Sequence, residues 1–236
     1  TAPLKKAYEF VQVSVAKASD RPSRNAQTGI TIRASSSGLF LESHNENTMS
    51  IARVGNFSGT DFVTILPPST LSILKDCGGD LVFLSPSSEK VVIKSSKVDV
   101  LVSPINASSI DLESVRSRIT GKSRCKIGEI KASITKGINQ VLAYQGRNTK
   151  MIILELSTGK LVIRTADQTS SRGKVVLPEI DFSGEPVTVL VEGKLLSEAL
   201  SKSDGKQTEI LIDDPGELLS VRGDETEFIT TTEFSR

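Results

Sequence analysis

One short pattern occurs twice in this chain. Residues 63–74 read Val-Thr-Ile-Leu, then Pro-Pro-Ser-Thr, then Leu-Ser-Ile-Leu. Residues 187–200 read Val-Thr-Val-Leu-Val-Glu, then Gly-Lys-Leu-Leu-Ser-Glu-Ala-Leu. In both, a β-rich run gives way at a break to leucines at helical spacing. A unit written twice predicts a tandem of two like domains. The chain has 236 residues, enough for two domains of ordinary size, each with its own core.

Partition of residue types narrows the class further. No run approaches the roughly 18 apolar residues that cross a bilayer, so no membrane partner is expected. No charged-then-apolar leader stands at Thr1, and a Thr start fits a mature cytoplasmic chain. Cys77 and Cys125 fall one in each half without a metal-ligand or disulfide spacing, so both are expected as idle thiols. The formal net charge is only +1, so any attraction to nucleic acid must come from how charge is distributed.

Leu4, Tyr8, Val11, Val15 and Ala18 predict a helix over 3–18, with Pro3 in its first turn. Strands are expected at 29–34, 39–43, 49–54 and 61–66. Pro67-Pro68 then turns the chain, and Ser69 is the expected N-cap of a short helix carrying Leu71 and Leu74. Gly78-Gly79 ends that helix, and strands at 80–84, 90–94 and 98–103 follow. Residues 105–122 change texture and read as a linker between domains at 1–104 and 123–236.

The second half repeats the order. A strand at 124–127 precedes a helix at 129–143 with Ile130, Ile134, Ile138, Val141 and Leu142 inside. A hairpin (151–156, 160–165) turns at Thr158-Gly159, and a third strand covers 171–177. A strand at 187–190 enters a helix at 193–202, and strands at 209–212, 218–221 and 227–232 close the chain. The fold class is therefore α+β: two tandem domains, each a doubled β-α-β-β-β unit, with few helices packed on sheets.

At this point the sequence resembles a known family. The first helix, Arg21-Pro22 and the hairpin strand beginning Gly38-Leu39-Phe40-Leu41 resemble the start of bacterial DNA polymerase III β sliding clamps. The segments 183–189, 194–200 and 209–215 (Glu-Ile-Leu-Ile-Asp-Asp-Pro) resemble the closing domain of those clamps. The resemblance covers nearly the whole chain in pattern. Bacterial clamps have three such domains. Two domains per chain resemble the eukaryotic and archaeal clamp (proliferating cell nuclear antigen) and certain phage clamps, so a phage or host-cytoplasm setting at the nucleoid is implied. The family usually opens with a strand before the first helix; with only Thr1-Ala2 ahead of Pro3, that strand is expected to be short or absent. The family's closing Met-Pro-Met type sequence is replaced by Ile229-Thr-Thr-Thr-Glu-Phe234-Ser-Arg236.

The resemblance implies a closed ring of six domains, hence a head-to-tail homotrimer, in which the strand at 97–103 pairs with 169–177 of the next copy. It implies duplex DNA, a DNA polymerase and a clamp loader as partners. The charge pattern agrees: between 122 and 145, Lys122, Arg124, Lys126, Lys131 and Lys136 stand against Glu129 alone. Lys5, Lys6 and Lys17 stand against Glu9 on the first helix. Such charges attract phosphate without reading bases. The expected DNA-contacting residues are Lys5, Lys17, Arg21, Lys75, Lys126, Lys131, Lys136, Arg147, Lys194 and Lys202. Arg21 sits where the family places an arginine on DNA, and Arg147 is its second-half counterpart. For a partner peptide the resemblance implies Ile105, Ile110, Leu112, Ile229, Thr231 and Phe234. Core packing explains the same apolar residues.

Other signals point to ordinary structure. His44 is the single histidine and reads as a loop residue. Asp213-Asp214-Pro215-Gly216 and Arg222-Gly223-Asp224 read as turns. With aromatics at 4% and no Trp, a base-stacking platform for single strands is disfavoured. No catalytic or metal constellation is present, so neither an enzyme nor a cofactor is expected. The alternative is a clamp-fold interaction platform or decoy that does not encircle DNA.

Overall fold

The computed structural model describes residues 2–16, 25–77, 82–84, 89–144, 150–166 and 173–233. The chain divides into two compact units, Thr1–Asp111 and Leu112–Arg236.

The first unit begins with α1 (Ala2–Val11) and a single 3-10 turn (Gln12–Ser14). The helix is shorter than the 3–18 expectation, whose last residues lie outside the described set. Val11, Val13 and Val15 explain the early end. β-branched residues at two-residue spacing disfavour helix continuation, and Val15 is already extended. The Ser14 hydroxyl instead makes a buried 2.7 Å bond with that of Ser50. Leu4, Ala7, Tyr8, Phe10 and Val11 are buried, and α1 packs on β3 (Thr48–Gly55) and β2 (Gly38–His44).

Those strands belong to an antiparallel sheet ordered β3-β2-β1-β4, with β1 (Ile30–Ser35) and β4 (Phe62–Leu66). His44 lies at the end of β2 and not in a loop. Burial pushes its pKa down by penalising the charged ring. α2 (Pro68–Leu74) follows β4. Its N-cap is Pro67 and its first helical residue is Pro68, so Ser69 is not the cap. Proline suits that position because the first helical N–H has no partner to lose. A second antiparallel sheet has the order β5-β6-β7, from β5 (Val82–Leu84), β6 (Val91–Lys94) and β7 (Asp99–Val102).

The stretch 105–122 is not a free connector. The Ile105 N–H donates to Ile65 O at 2.8 Å, which holds it on the first unit. α3 (Leu112–Arg116) starts the second unit. Its Arg116 donates to buried Glu227 at 2.8 Å, and Arg222 reaches the same carboxylate at 2.8 Å. Asp213 is 2% exposed and accepts from the N–H groups of Thr120 and Gly121 and from the Thr120 hydroxyl. The Asp213-Asp214 turn therefore also anchors the chain entering the second unit. Lys122 pairs with Asp214, which raises the pKa of its amine.

In the second unit, one antiparallel sheet runs β12-β8-β14-β15-β16. Its strands are β8 (Ser123–Lys126), β12 (Asp181–Gly184), β14 (Glu209–Ile212), β15 (Leu218–Arg222) and β16 (Thr226–Thr231). The other sheet runs β11-β10-β9-β13, from β9 (Met151–Ser157), β10 (Lys160–Thr165), β11 (Lys174–Pro178) and β13 (Val187–Glu192). Strand β12 was not anticipated, because Asp-Phe-Ser-Gly has little β propensity. It forms by pairing with β8. Gly184 permits the approach: its φ is +104°, and a Cβ there would lie 2.0 Å from Lys122 O. The β9–β10 hairpin turns at Thr158-Gly159 as expected, with Gly159 at φ +74°. α4 (Lys131–Ala143) lies on β9, β10 and β11 and beside α5 (Gly193–Lys202).

Candidate nucleic-acid interface

Two helices build the clearest basic surface. α4 buries Ile134, Gly137, Ile138 and Val141, so its opposite face carries Ala132, Ser133, Lys136, Asn139 and Gln140 into solvent. α5 buries Leu196, Ser197, Ala199 and Leu200, which leaves Lys194, Ser201 and Lys202 outside. The helices are tied together twice. The Ser197 hydroxyl donates to Asn139 Oδ1 at 2.9 Å, and Lys131 Nζ donates to Ser203 O at 2.7 Å. Between them runs an open groove of about 700 Å³ with Ala132, Ala143 and Leu200 along it and Lys131, Lys136 and Gln140 at its margins. Small side chains under a lysine rim let a phosphate backbone approach closely without offering groups to read bases.

The expected DNA-contacting residues do not all share this surface. Lys136 lines the groove with an exposed side chain, while Lys194 and Lys202 are exposed at opposite ends of α5. Lys131 also lines it, but half-buried and bonded to the C-terminal end of α5, where a cation complements the carbonyl dipoles. Lys126 stands elsewhere, in a polar recess of about 650 Å³ with Lys206, Glu209 and Asp224, and it pairs with Asp181 at 3.3 Å. In the first unit Lys5 is exposed on α1. Lys75 is half-buried, 5.6 Å from the centroid of the Tyr8 ring and 4.0 Å from Asp76. Lys17, Arg21 and Arg147 lie outside the described residues.

The expected peptide-contacting residues separate by burial. Leu112 and Ile229 are core side chains, 8% and 2% exposed, and offer no docking surface. α3 and β16 bury them within the second unit. Ile105 and Ile110 are half-buried on the first unit, and Thr231 is exposed at the end of β16. Phe234 lies outside the described residues. Leu112 and Ile229 thus follow the competing core-packing explanation, because periodicity over such short segments does not separate a core leucine from a groove leucine.

Cys77 and Cys125 are buried free thiols. Desolvation, with Asp181 nearby, pushes the Cys125 pKa up to about 11. Among the described residues no group of acidic, His and Cys side chains is placed to hold a metal ion, and no helix is long and apolar enough to cross a membrane.

Two units of antiparallel sheets, each with a helix carrying exposed lysines, form the fold of DNA polymerase sliding clamps. A protein from Eubacterium rectale assigned as a DNA polymerase III beta subunit superposes with a TM-score of 0.84 at 16% identity, over 98% of this chain and 63% of that one. The DNA polymerase III subunit beta of Pseudomonas aeruginosa superposes with a TM-score of 0.84 at 12% identity, over 99% of this chain and 65% of that one. A second Pseudomonas aeruginosa structure, of the sliding clamp with a ligand, gives 0.83 at 13% identity, over 99% of this chain and 64% of that one. The chain thus spans less than two thirds of the length of these clamps. No family model and no curated protein matches the sequence.

Proposed function

We propose that this chain is a non-catalytic processivity factor: a clamp that closes into a ring around duplex DNA and holds a DNA polymerase on it, without sequence preference. The observation that carries the reading is the sliding-clamp fold, matched across 98–99% of the chain. The exposed lysines of α4 and α5 support it, since a sliding contact requires weak, base-blind attraction while topology supplies retention. Ring closure would be head to tail, and two units per chain make three copies complete a six-domain ring. A clamp loader and a polymerase are the implied protein partners; Ile105 and Ile110 on the first unit and Thr231 on the second are the candidate contacts that are not buried.

Several basic residues are engaged within the chain: Lys122 with Asp214, Lys126 with Asp181, and Lys131 with Ser203 O. That engagement favours the second reading, a clamp-fold platform that does not encircle DNA. One experiment separates them. The protein is loaded with its clamp loader onto nicked circular DNA, and the DNA is then linearised. A ring slides off the free ends and is retained when the ends are blocked. Equal retention on linear and circular DNA would eliminate the encircling mechanism.

A further inference from the structure

The two units repeat one another element by element, with one difference. The sheet β3-β2-β1-β4 corresponds to β11-β10-β9-β13, and the ladder β5-β6-β7 to β14-β15-β16. The details agree. The Ser95 N–H donates to Val98 O at 3.0 Å, and the Gly223 N–H to Thr226 O at 2.8 Å. Lys94 pairs with Asp99 where Arg222 pairs with Glu227. Val82 faces Lys94 as Glu209 faces Arg222, so Phe83 holds the place of Ile210. In the second unit the ladder continues past β14 to β8 and then β12. Among the described residues the first unit has no strand in either place, and β5 ends its sheet.

A near copy of the β12 sequence is nevertheless present in the first unit. Asp181-Phe182-Ser183-Gly184 forms β12 ahead of β13, and Asn56-Phe57-Ser58-Gly59 stands ahead of β4. In both, the phenylalanine is half-buried and the other three residues are exposed. Both glycines have positive φ, +104° at Gly184 and +146° at Gly59. A Cβ at Gly184 would lie 2.0 Å from Lys122 O, on the chain entering β8. At Gly59 its nearest neighbours would be atoms of the Phe57 ring, from 3.0 Å. The tetrapeptide is a strand where β8 lies beside it, and residues 56–58, without such a neighbour among the described residues, are coil. Ring centroids of Phe57 and Phe62 are 5.7 Å apart, and those of Phe62 and Phe83 5.4 Å. A row of half-buried phenyl rings therefore links this segment to β5.

We infer that the open edge of β5 receives one extended strand of a partner polypeptide, antiparallel to β5 and set between it and residues 56–59, as β8 is set between β14 and β12. This holds whether or not the chain encircles DNA. The backbone fixes which groups take part. The Ile127 N–H donates to Thr208 O, so alternation along β8 and β14 turns the main-chain groups of Ile210 toward Cys125. In the first unit the Ser95–Val98 bond turns Ile93 toward β7, which leaves the N–H and C=O of Phe83, opposite Ile93, aimed at the open side. Extended peptides add to such edges through main-chain bonds, and their alternate side chains decide which peptide is taken.

Side chains define that peptide. Cys125, opposite Ile210, is 0% exposed, so the residue opposite Phe83 faces inward and is apolar. Its neighbour, opposite Val82, faces outward. The outward position of the second unit is ionic: Lys126 pairs with Asp181, and Arg124 with Glu209. The first unit has Asn56 and Val82 in place of those two carboxylates, and Val82 is 50% exposed. β8 of a second copy would bring Arg124 and Lys126 to an edge where both carboxylates are replaced. The partner segment instead carries two successive apolar residues, one for each face.

The probe is a blocked, fluorescein-labelled peptide of residues 121–127 carrying Cys125→Val and Lys126→Val, added to the full chain. Saturable binding by anisotropy is expected, several-fold tighter than for the peptide that keeps Lys126. Val82→Asp, on an exposed side chain, should weaken it several-fold with the melting temperature unchanged. Hydrogen exchange followed by NMR reads the edge directly in the parent chain: the Phe83 amide should exchange fast alone and slowly with peptide, whereas the Ile210 amide is protected throughout. No binding, or binding that Val82→Asp leaves intact, overturns the proposal. Equal or tighter binding of the Lys126 peptide overturns the apolar outward residue. A Phe83 amide protected without peptide overturns the partner strand: protection at every dilution means that the chain closes its own edge, and protection that grows with protein concentration assigns the edge to a second copy.

Discussion

Glu227 shows what a single side chain does in this fold. It is 5% exposed and accepts from Arg116, Arg222 and Ser220, joining α3, β15 and β16. Glu227→Ala leaves two half-exposed guanidinium groups without their acceptor. The expected cost is about 2 kcal/mol, given the usual 1.5–3 kcal/mol of charge-assisted bonds, read as a lower urea midpoint with unchanged slope. Two titrating side chains carry pH signatures. His44 has its pKa lowered by burial, so the folded state favours the neutral ring. Its contribution is complete above the unfolded value of 6.5 and declines as pH falls below it toward the folded value. His44→Gln is expected to flatten stability against pH in that acid window, measured by urea unfolding at stepped pH. The Cys125 pKa is raised from 9.0 to about 11, so its contribution is complete below 9.0 and is lost as pH rises toward 11. Iodoacetamide at pH 8 should leave Cys125 unmodified in the folded protein and alkylate it in urea, as counted by mass spectrometry.

At the scale of elements, α4 and α5 divide the labour between packing and charge. Their apolar faces follow the 3.6-residue period, and the helix at 193–202 is found where that period places it. α4 begins two residues later than expected, after Ile130 at its N-cap. Gly137 lets α4 lie close to its sheet, since a Cβ there would be 3.1 Å from Ile163 and Val175. Gly137→Leu is expected to destabilise the second unit by about 1–3 kcal/mol through overpacking, seen as a lower melting temperature. The exposed faces supply the charge. Lys136→Gln, Lys194→Gln and Lys202→Gln together should weaken DNA binding and shallow its salt dependence by roughly 0.9 log units per lost phosphate contact, measured by fluorescence anisotropy across salt concentrations. Lys131→Gln should instead lower stability, because its amine is committed to Ser203 O.

The molecule as a whole consists of two units, with β7 and β11 among the strands that end their sheets. Under the ring reading these edges become one seam repeated around the closed assembly. Light scattering at micromolar concentration is expected to give a mass three times the 25.3 kDa of one chain. Val176→Lys should shift the population toward monomer, because it puts a charge on the β11 edge that the ring reading pairs with β7; an unchanged mass would place closure elsewhere. The mutation sits on an exposed side chain, so thermal stability at low concentration should stay near that of the parent.

Much of the architecture was readable from the letters. The doubled strand–break–helix pattern, the α+β class, the Thr158-Gly159 hairpin and the α5 stripe rest on local propensity and short-range periodicity. Those forces act between neighbours in sequence, so they leave a pattern in it. Strand β12 and the burial of Leu112 and Ile229 depend on partners far along the chain. The same holds for Lys131 and Lys126, which sequence grouped as one basic patch. Folding commits one to Ser203 O and places the other in a separate recess. Charge count is a property of the chain, but which charges remain free to meet a phosphate is decided by the hydrogen bonds and ion pairs that tertiary packing makes first.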